Sequence, residues 1–179
     1  MDVALATLAK KMAPALLDAA LELKPHVHGE WLGKLVYEVA PGGLWHVRQK
    51  AEDPLRLLVP ELGFEYAFQG GFFSDGGSIP KVLQGIPKMR LKPDSFPKSY
   101  FKHDHDYERG GCWVRAVGTA VWTWMPLTRE MADCLLYIGL TAEDATLAEA
   151  VAIFQGVRLG GEAAWKRCRD AELNERPRT

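Results

Sequence analysis

The chain passes from short apolar runs to a helical hydrophobic period near Pro97, and that change constrains the fold more than any other feature. From about residue 31 to 68 apolar residues come in short runs: Leu35-Val36-Tyr37-Glu38-Val39, Leu44-Trp45-His46-Val47, Leu55-Arg56-Leu57-Leu58-Val59 and Phe64-Glu65-Tyr66-Ala67-Phe68. Pro41-Gly42-Gly43, Asp53-Pro54 and Leu62-Gly63 separate them, which is the signature of short antiparallel strands joined by turns. After Pro97 the period lengthens to three and four residues. It predicts helices over about 98–109, closed by Gly110-Gly111, over about 127–140, and over about 142–172 with Gly160-Gly161 as a weak point. Strands followed by helices argue for an α+β fold, a small antiparallel sheet plus a helical half. Residues 69–97 are rich in Gly and Pro and read mainly as loop, with one helical turn near Val82-Leu83. The segment 113–125, with Trp113, Trp122 and Trp124, reads as a hairpin or a long loop.

Ahead of the strands, Leu5, Leu8, Met12, Leu16, Ala19 and Leu23 form an apolar stripe at helical spacing, interrupted by Pro14 and ended by Pro25. The expected organisation is therefore an N-terminal amphipathic helix within 1–30, one α+β domain over 31–172 and a flexible tail over 173–179. At 179 residues the chain buries enough surface to fold without disulfides. Cys112, Cys134 and Cys168 have no CxxC spacing, so neither a zinc ribbon nor a disulfide framework is indicated. A net charge of −1 excludes a bulk-basic nucleic-acid binder. No apolar run reaches the ~18 residues of a membrane span, and the start lacks the pattern of a secretion signal.

Two segments carry the polar chemistry. In His103-Asp104-His105-Asp106-Tyr107, helical spacing puts His103 and Tyr107 on one face, with Asp104 turned toward a neighbouring loop and His105 and Asp106 toward solvent. An imidazole titrates near neutrality and suits general-base work; Asp104 is a hard oxygen donor suited to calcium or magnesium. The same run also fits a solvated helix face. In Ser74-Asp75-Gly76-Gly77-Ser78-Ile79-Pro80, the glycines free main-chain carbonyls and amides to meet a cation or an oxyanion, or simply make a turn.

The order Ser74-Asp75-Gly76-Gly77-Ser78-Ile79-Pro80, His103-Asp104-x-x-Tyr107, Arg129-x-x-x-Asp133, Phe154-x-x-Val157-Arg158-x-x-Gly161 and Trp165 resembles a family of phage and prophage proteins of unknown function, over roughly residues 60–168. More distantly the same skeleton resembles the phospholipase A2 fold, in which a Gly-rich calcium loop precedes a helix bearing His-Asp-x-x-Tyr. That resemblance implies His103 as the base that activates water, Asp133 as the group that orients it and Tyr107 as a hydrogen-bond donor to Asp133. It implies Asp104, with Asp75, Gly76 and Gly77, as the Ca2+ site. The stapling disulfides of those enzymes are absent, and Gly77 stands where many prokaryotic members carry Cys.

Other groupings point elsewhere. His46, His103-Asp104 and Asp144 could be cast as ligands of a metal-dependent phosphohydrolase, but His46 lies in a predicted strand and Asp144 near a helix start, where the helix dipole explains an acid. Arg158, on an apolar helix face, could anchor a buried carboxylate. Lys81, Lys88, Arg90, Lys92, Lys98 and Lys102 face only Asp94 and, with the tryptophans, suit a lipid surface or an acidic protein neighbour. The expected function is a phage- or prophage-encoded, calcium-dependent lipid esterase of the phospholipase A2 type in the host cytoplasm or virion. The alternative is a non-enzymatic phage structural protein that docks through the N-terminal helix and Trp113, Trp122 and Trp124. Specific nucleic-acid binding is not expected.

Overall fold

The computed structural model describes residues 28–76 and 88–175, with side chains up to residue 170. The N-terminal helix, the helical turn at Val82-Leu83, Lys81 and Gly77 lie outside the described residues. The fold is α+β, but with two antiparallel sheets where the sequence predicts one. The larger sheet has the order β1-β4-β5-β7-β8, from Glu30–Leu32, Leu55–Val59, Phe64–Phe68, Gly111–Ala116 and Thr123–Pro126. The smaller has the order β2-β3-β6, from Tyr37–Val39, Trp45–Val47 and Phe72–Ser74.

Alternation explains the larger sheet. Leu55, Leu57 and Val59 turn one face of β4 into the core, and all three are fully buried. The tryptophan segment is the hairpin β7–β8, with Trp113 opposite Trp124; Trp113, Trp122 and Trp124 are half-buried on it. β6 corrects the reading of 69–97 as loop: three residues between Gly71 and Gly76 have no period of their own, and pairing with β3 makes them a strand. The consequence for the site is that Ser74 is held opposite Trp45 at the end of the smaller sheet.

Among the described residues four α-helices follow: α1 (Pro97–Arg109), α2 (Arg129–Ala142), α3 (Leu147–Gly160) and α4 (Glu162–Glu175). The last of these runs into the segment expected to be tail. α1 and α2 run in opposite directions, because Ser99 at the start of α1 meets Glu143 just past the end of α2, whereas Tyr107 near the end of α1 meets Asp133 near the start of α2. Phe96 supplies no side-chain cap to α1. Glu143 caps it from outside, accepting from the Lys98 and Ser99 amides at 3.1 and 2.8 Å and from the Ser99 hydroxyl at 2.6 Å. Gly139 lets the two helices close up: a Cβ there would sit 3.1 Å from both Ser99 and Trp31. α3 opens on a Thr146–Glu149 capping box, and Glu149 also accepts from Arg90. Asp144 is therefore not the cap; it sits in the preceding turn at φ 59°.

α1 also departs from the sequence reading. His105 and Asp106 are buried, not solvent-facing. The ring of His105 lies among Phe68, Phe72 and Trp124, and Asp106 is paired with Lys102 and with His105. The sheets cover one side of α1 and α2 the other, so polar residues on both sides had to find partners inside. Lys102 is thereby removed from the basic stretch, and Arg90 is tied to Glu149.

Removing the external cap tests this arrangement. Glu143→Ala leaves three donors at the start of α1 without their acceptor and should lower unfolding free energy by about 1–3 kcal/mol. A urea melt reads this directly, and an unchanged midpoint would show that α1 is capped by other means.

Candidate functional site

The site is built where α1 faces β6, α2 and the α3–α4 junction. Asp133, one turn into α2, has no exposed surface. Its Oδ1 accepts from His103 Nε2 at 2.9 Å and from the Tyr107 hydroxyl at 2.7 Å. Its Oδ2 accepts from Arg158 Nη1 at 3.0 Å, with Arg129 Nε at 3.5 Å. The carboxylate thus holds both His103 and Arg129, one on each oxygen. Burial alone would raise the Asp133 carboxyl, but the bonds from His103, Tyr107 and Arg158 hold it below the usual carboxylate value. An ionised carboxylate can only accept, so the proton between the pair sits on Nε2 of His103. Nδ1 makes no hydrogen bond among the described residues and is left as the basic nitrogen of a ring that lines a cavity.

That cavity has a volume of about 500 Å³, within the range of small-molecule sites. Ser74 and Asp75 line it from β6 and the loop beyond, and His103, Asp104, Tyr107 and Glu108 line it from α1. Gly156, Gly160, Gly161 and Ala164 form its floor from α3 and α4. The break at Gly160-Gly161 has a local cause: a Cβ on Gly161 would lie 2.6 Å from the Tyr107 hydroxyl. Only glycine admits the tyrosine that donates to Asp133.

The next carboxylate on α1 is joined to the loop. Ser74 accepts from the Gly76 amide at 3.0 Å and donates to Asp104 Oδ2. Gly76 has φ 84°, and a Cβ there would meet the Trp45 ring and the Pro93 carbonyl inside 2.6 Å, so the turn needs glycine. Burial raises the Asp104 carboxyl to about 7, with Asp75 and Glu108 adding to the rise and Ser74 and His103 opposing it. Asp75 is exposed at the cavity edge.

Among the described residues no three His, Cys, Asp or Glu side chains form a metal-binding group. The calcium set implied by the resemblance is of a different kind, one carboxylate with main-chain oxygens. The described residues fit it in charge and donor type: among them Asp104 has no Lys or Arg partner, and no Lys or Arg lines the cavity beside Asp75, Asp104 and Glu108. His46 and Asp144 are not brought to His103: His46 pairs with Glu38 on the smaller sheet, and Asp144 lies in the α2–α3 turn.

Three participants escaped the sequence reading. Ser74 stood inside a quoted motif without a role; Glu108, four residues after Asp104, shares its helix face and could have been found by that spacing; Cys168, which also lines the cavity, carried no signal. Comparison with protein-family models, curated proteins and solved structures found no match. No described helix is long and apolar enough to cross a membrane.

A carboxyl raised from 3.8 to about 7 binds its proton more tightly in the folded than in the unfolded chain. Its ionisation therefore costs stability as pH rises through this interval, and the whole cost is present above about 7. Asp104→Asn keeps an acceptor for Ser74 and removes the charge. Its melting temperature should exceed wild type at pH 8 and match it near pH 4; a pH-independent difference would contradict the shifted carboxyl.

Proposed function

We propose that the protein is a calcium-dependent lipid esterase of the phospholipase A2 type, with His103 as general base and Asp133 as its positioning residue. The observation that carries this reading is the 2.9 Å bond between His103 Nε2 and the buried Asp133, on a ring that faces a 500 Å³ cavity. Asp133 fixes the tautomer and the ring plane, and Tyr107 and Arg158 fix Asp133.

In the reaction, Nδ1 of His103 takes a proton from a water in the cavity. The water oxygen attacks the ester carbonyl carbon and forms a C–O bond, placing the electron pair on the carbonyl oxygen. Collapse re-forms the carbonyl and breaks the bond to the alcohol oxygen, which leaves with the proton held on His103. The products are a carboxylic acid and an alcohol. Asp104, with main-chain oxygens of the Asp75–Gly76–Gly77 loop, would hold Ca2+, whose charge would stabilise the developing oxyanion. Ser74 sets the position of Asp104 relative to that loop.

The motif resemblance supports a phage or prophage source and, with it, the host cytoplasm or the virion as the place of action. The exposed apolar side chains of Leu44 and Phe73 at the cavity support access to a lipid substrate or a membrane surface.

His103→Gln keeps a donor for Asp133 and loses the base. Turnover of a carboxylic ester should fall ~10²-fold or more with the melting temperature retained, and chelation with EGTA should suppress the wild-type rate reversibly. A wild-type protein that hydrolyses no ester in millimolar calcium would overturn the esterase reading and favour a non-enzymatic phage structural protein.

A further inference from the structure

The outer face of the larger sheet carries a second cavity, which shares no described residue with the one beside His103. We propose that it is a saccharide-binding site, taking one uncharged pyranose ring of a glycan against Trp113 and Trp122. The proposal stands apart from the esterase reading.

Strand alternation builds this face. Leu57, Tyr66 and Val114 are buried in the core, so Arg56, Ala67, Trp113 and Arg115 belong to the opposite side of the sheet, with Gln69 just past the end of β5. Ala67 is paired directly with Trp113. These two, with Gln69, Trp122, Ala51 and Pro54, line an opening of about 190 Å³. Both indoles are held in place by the protein itself. Trp113 meets Trp124 edge-on, with ring centroids 5.5 Å apart. The Arg115 guanidinium lies 4.6 Å over the Trp122 ring, and Glu65 pins it by accepting from Nη2 on both oxygens at 3.0 and 2.9 Å. Arg56 reaches the same carboxylate at 3.4 Å. Aromatic walls fixed in this way lose little freedom when a ligand arrives.

The polar groups at the opening define the ligand. The Gln69 amide and the indole Nε1 groups of Trp113 and Trp122 have no hydrogen-bond partner among the described residues, whereas Trp31 Nε1 donates to the Gly139 carbonyl at 3.0 Å. Gln69 is exposed and both tryptophans are half-buried, so all three are within reach of a ligand. Two indole donors and an amide that both donates and accepts, set around aromatic walls, call for a ring that is apolar on its face and hydroxylated at its edge. A pyranose has that form: its axial C–H bonds lie on an indole, and its equatorial hydroxyls exchange hydrogen bonds with the amide and the Nε1–H groups. The volume lies below that of drug-sized sites and admits one such ring. Arg56 and Arg115 share the single carboxylate of Glu65, and the positive charge left over disfavours a cation on these indoles.

Titration of the whole ¹⁵N-labelled chain with cellotetraose, tetra-N-acetylchitotetraose, mannotetraose and galactotetraose at millimolar concentration, followed by ¹H–¹⁵N correlation, tests this. At least one of them should shift the indole signals of Trp113 and Trp122 and the side-chain amide of Gln69 in a saturable way, while the indole of Trp31 stays where it is. Gln69→Ala, at an exposed position, should weaken that saccharide about fivefold with the melting temperature unchanged. Trp122→Ala should abolish the saturable shift at Trp113. The absence of saturable shifts at Trp113 and Trp122 with every one of these saccharides overturns the proposal. So does a saccharide that binds Gln69→Ala and Trp122→Ala as tightly as wild type. Adenosine and a tetraproline peptide are the comparators: saturable shifts from either, with none from a saccharide, would assign the cavity to a base or a peptide instead. None of these outcomes bears on the His103–Asp133 pair.

Discussion

A fully buried carboxylate is what the helical half is arranged around. Asp133 cannot reach water, and leaving such a charge unpaired costs several kcal/mol. Its four partners come from three helices: His103 and Tyr107 from α1, Arg158 from α3, and Arg129 from α2 itself. His103, Tyr107 and Arg158 each tie another helix to α2. Tyr107 can reach Asp133 only because Gly161 has no side chain, so the end of α3 and the start of α4 are set by the same group. Bonds from His103, Tyr107 and Arg158 keep the carboxylate ionised, with the two guanidiniums beside Oδ2 and the imidazole and phenol on Oδ1.

Asp104 shows the opposite economy on the neighbouring residue. Asp133 has cations and loses its proton readily; Asp104 has a serine hydroxyl, two acidic neighbours and a carboxyl raised to about 7. Two carboxylates whose environments drive them apart in this way mark a site where acid–base roles are divided. The cost of holding Asp104 ionised is a stability cost that packing alone would not favour, and it lies on the wall of the cavity beside His103.

Much of the site could be read from spacing. His103 and Tyr107 share a face at i and i+4, and the second helix offers Asp133 with Arg129 four residues before it. Arg158 was recognisable as a cation on an apolar helix, waiting for a buried acid. The ends of α1 were legible because Pro97 and Gly110 mark them, whereas Gly160-Gly161, read as a weak point within one helix, separates two. What could not be read depends on distant pairing. β6 exists because β3 lies beside it, and its three residues carry no period. His105 and Asp106 are polar in sequence yet buried, because the sheets cover the face of α1 that an isolated helix would leave wet. The Ser74–Asp104 bond joins residues thirty apart through that unpredicted strand.

The central claim is that Asp133 holds His103 with its proton on Nε2, leaving Nδ1 as the base toward the cavity. Long-range ¹H–¹⁵N correlation of the imidazole ring on uniformly labelled protein measures this directly, with His103→Gln assigning the signals. The account predicts that neutral His103 is the Nε2–H tautomer, its proton shifted downfield by the Asp133 hydrogen bond, with an unprotonated Nδ1, and that Asp133→Ala removes the downfield signal. A neutral His103 found as the Nδ1–H tautomer, or a ring whose signals do not respond to Asp133→Ala, would contradict it.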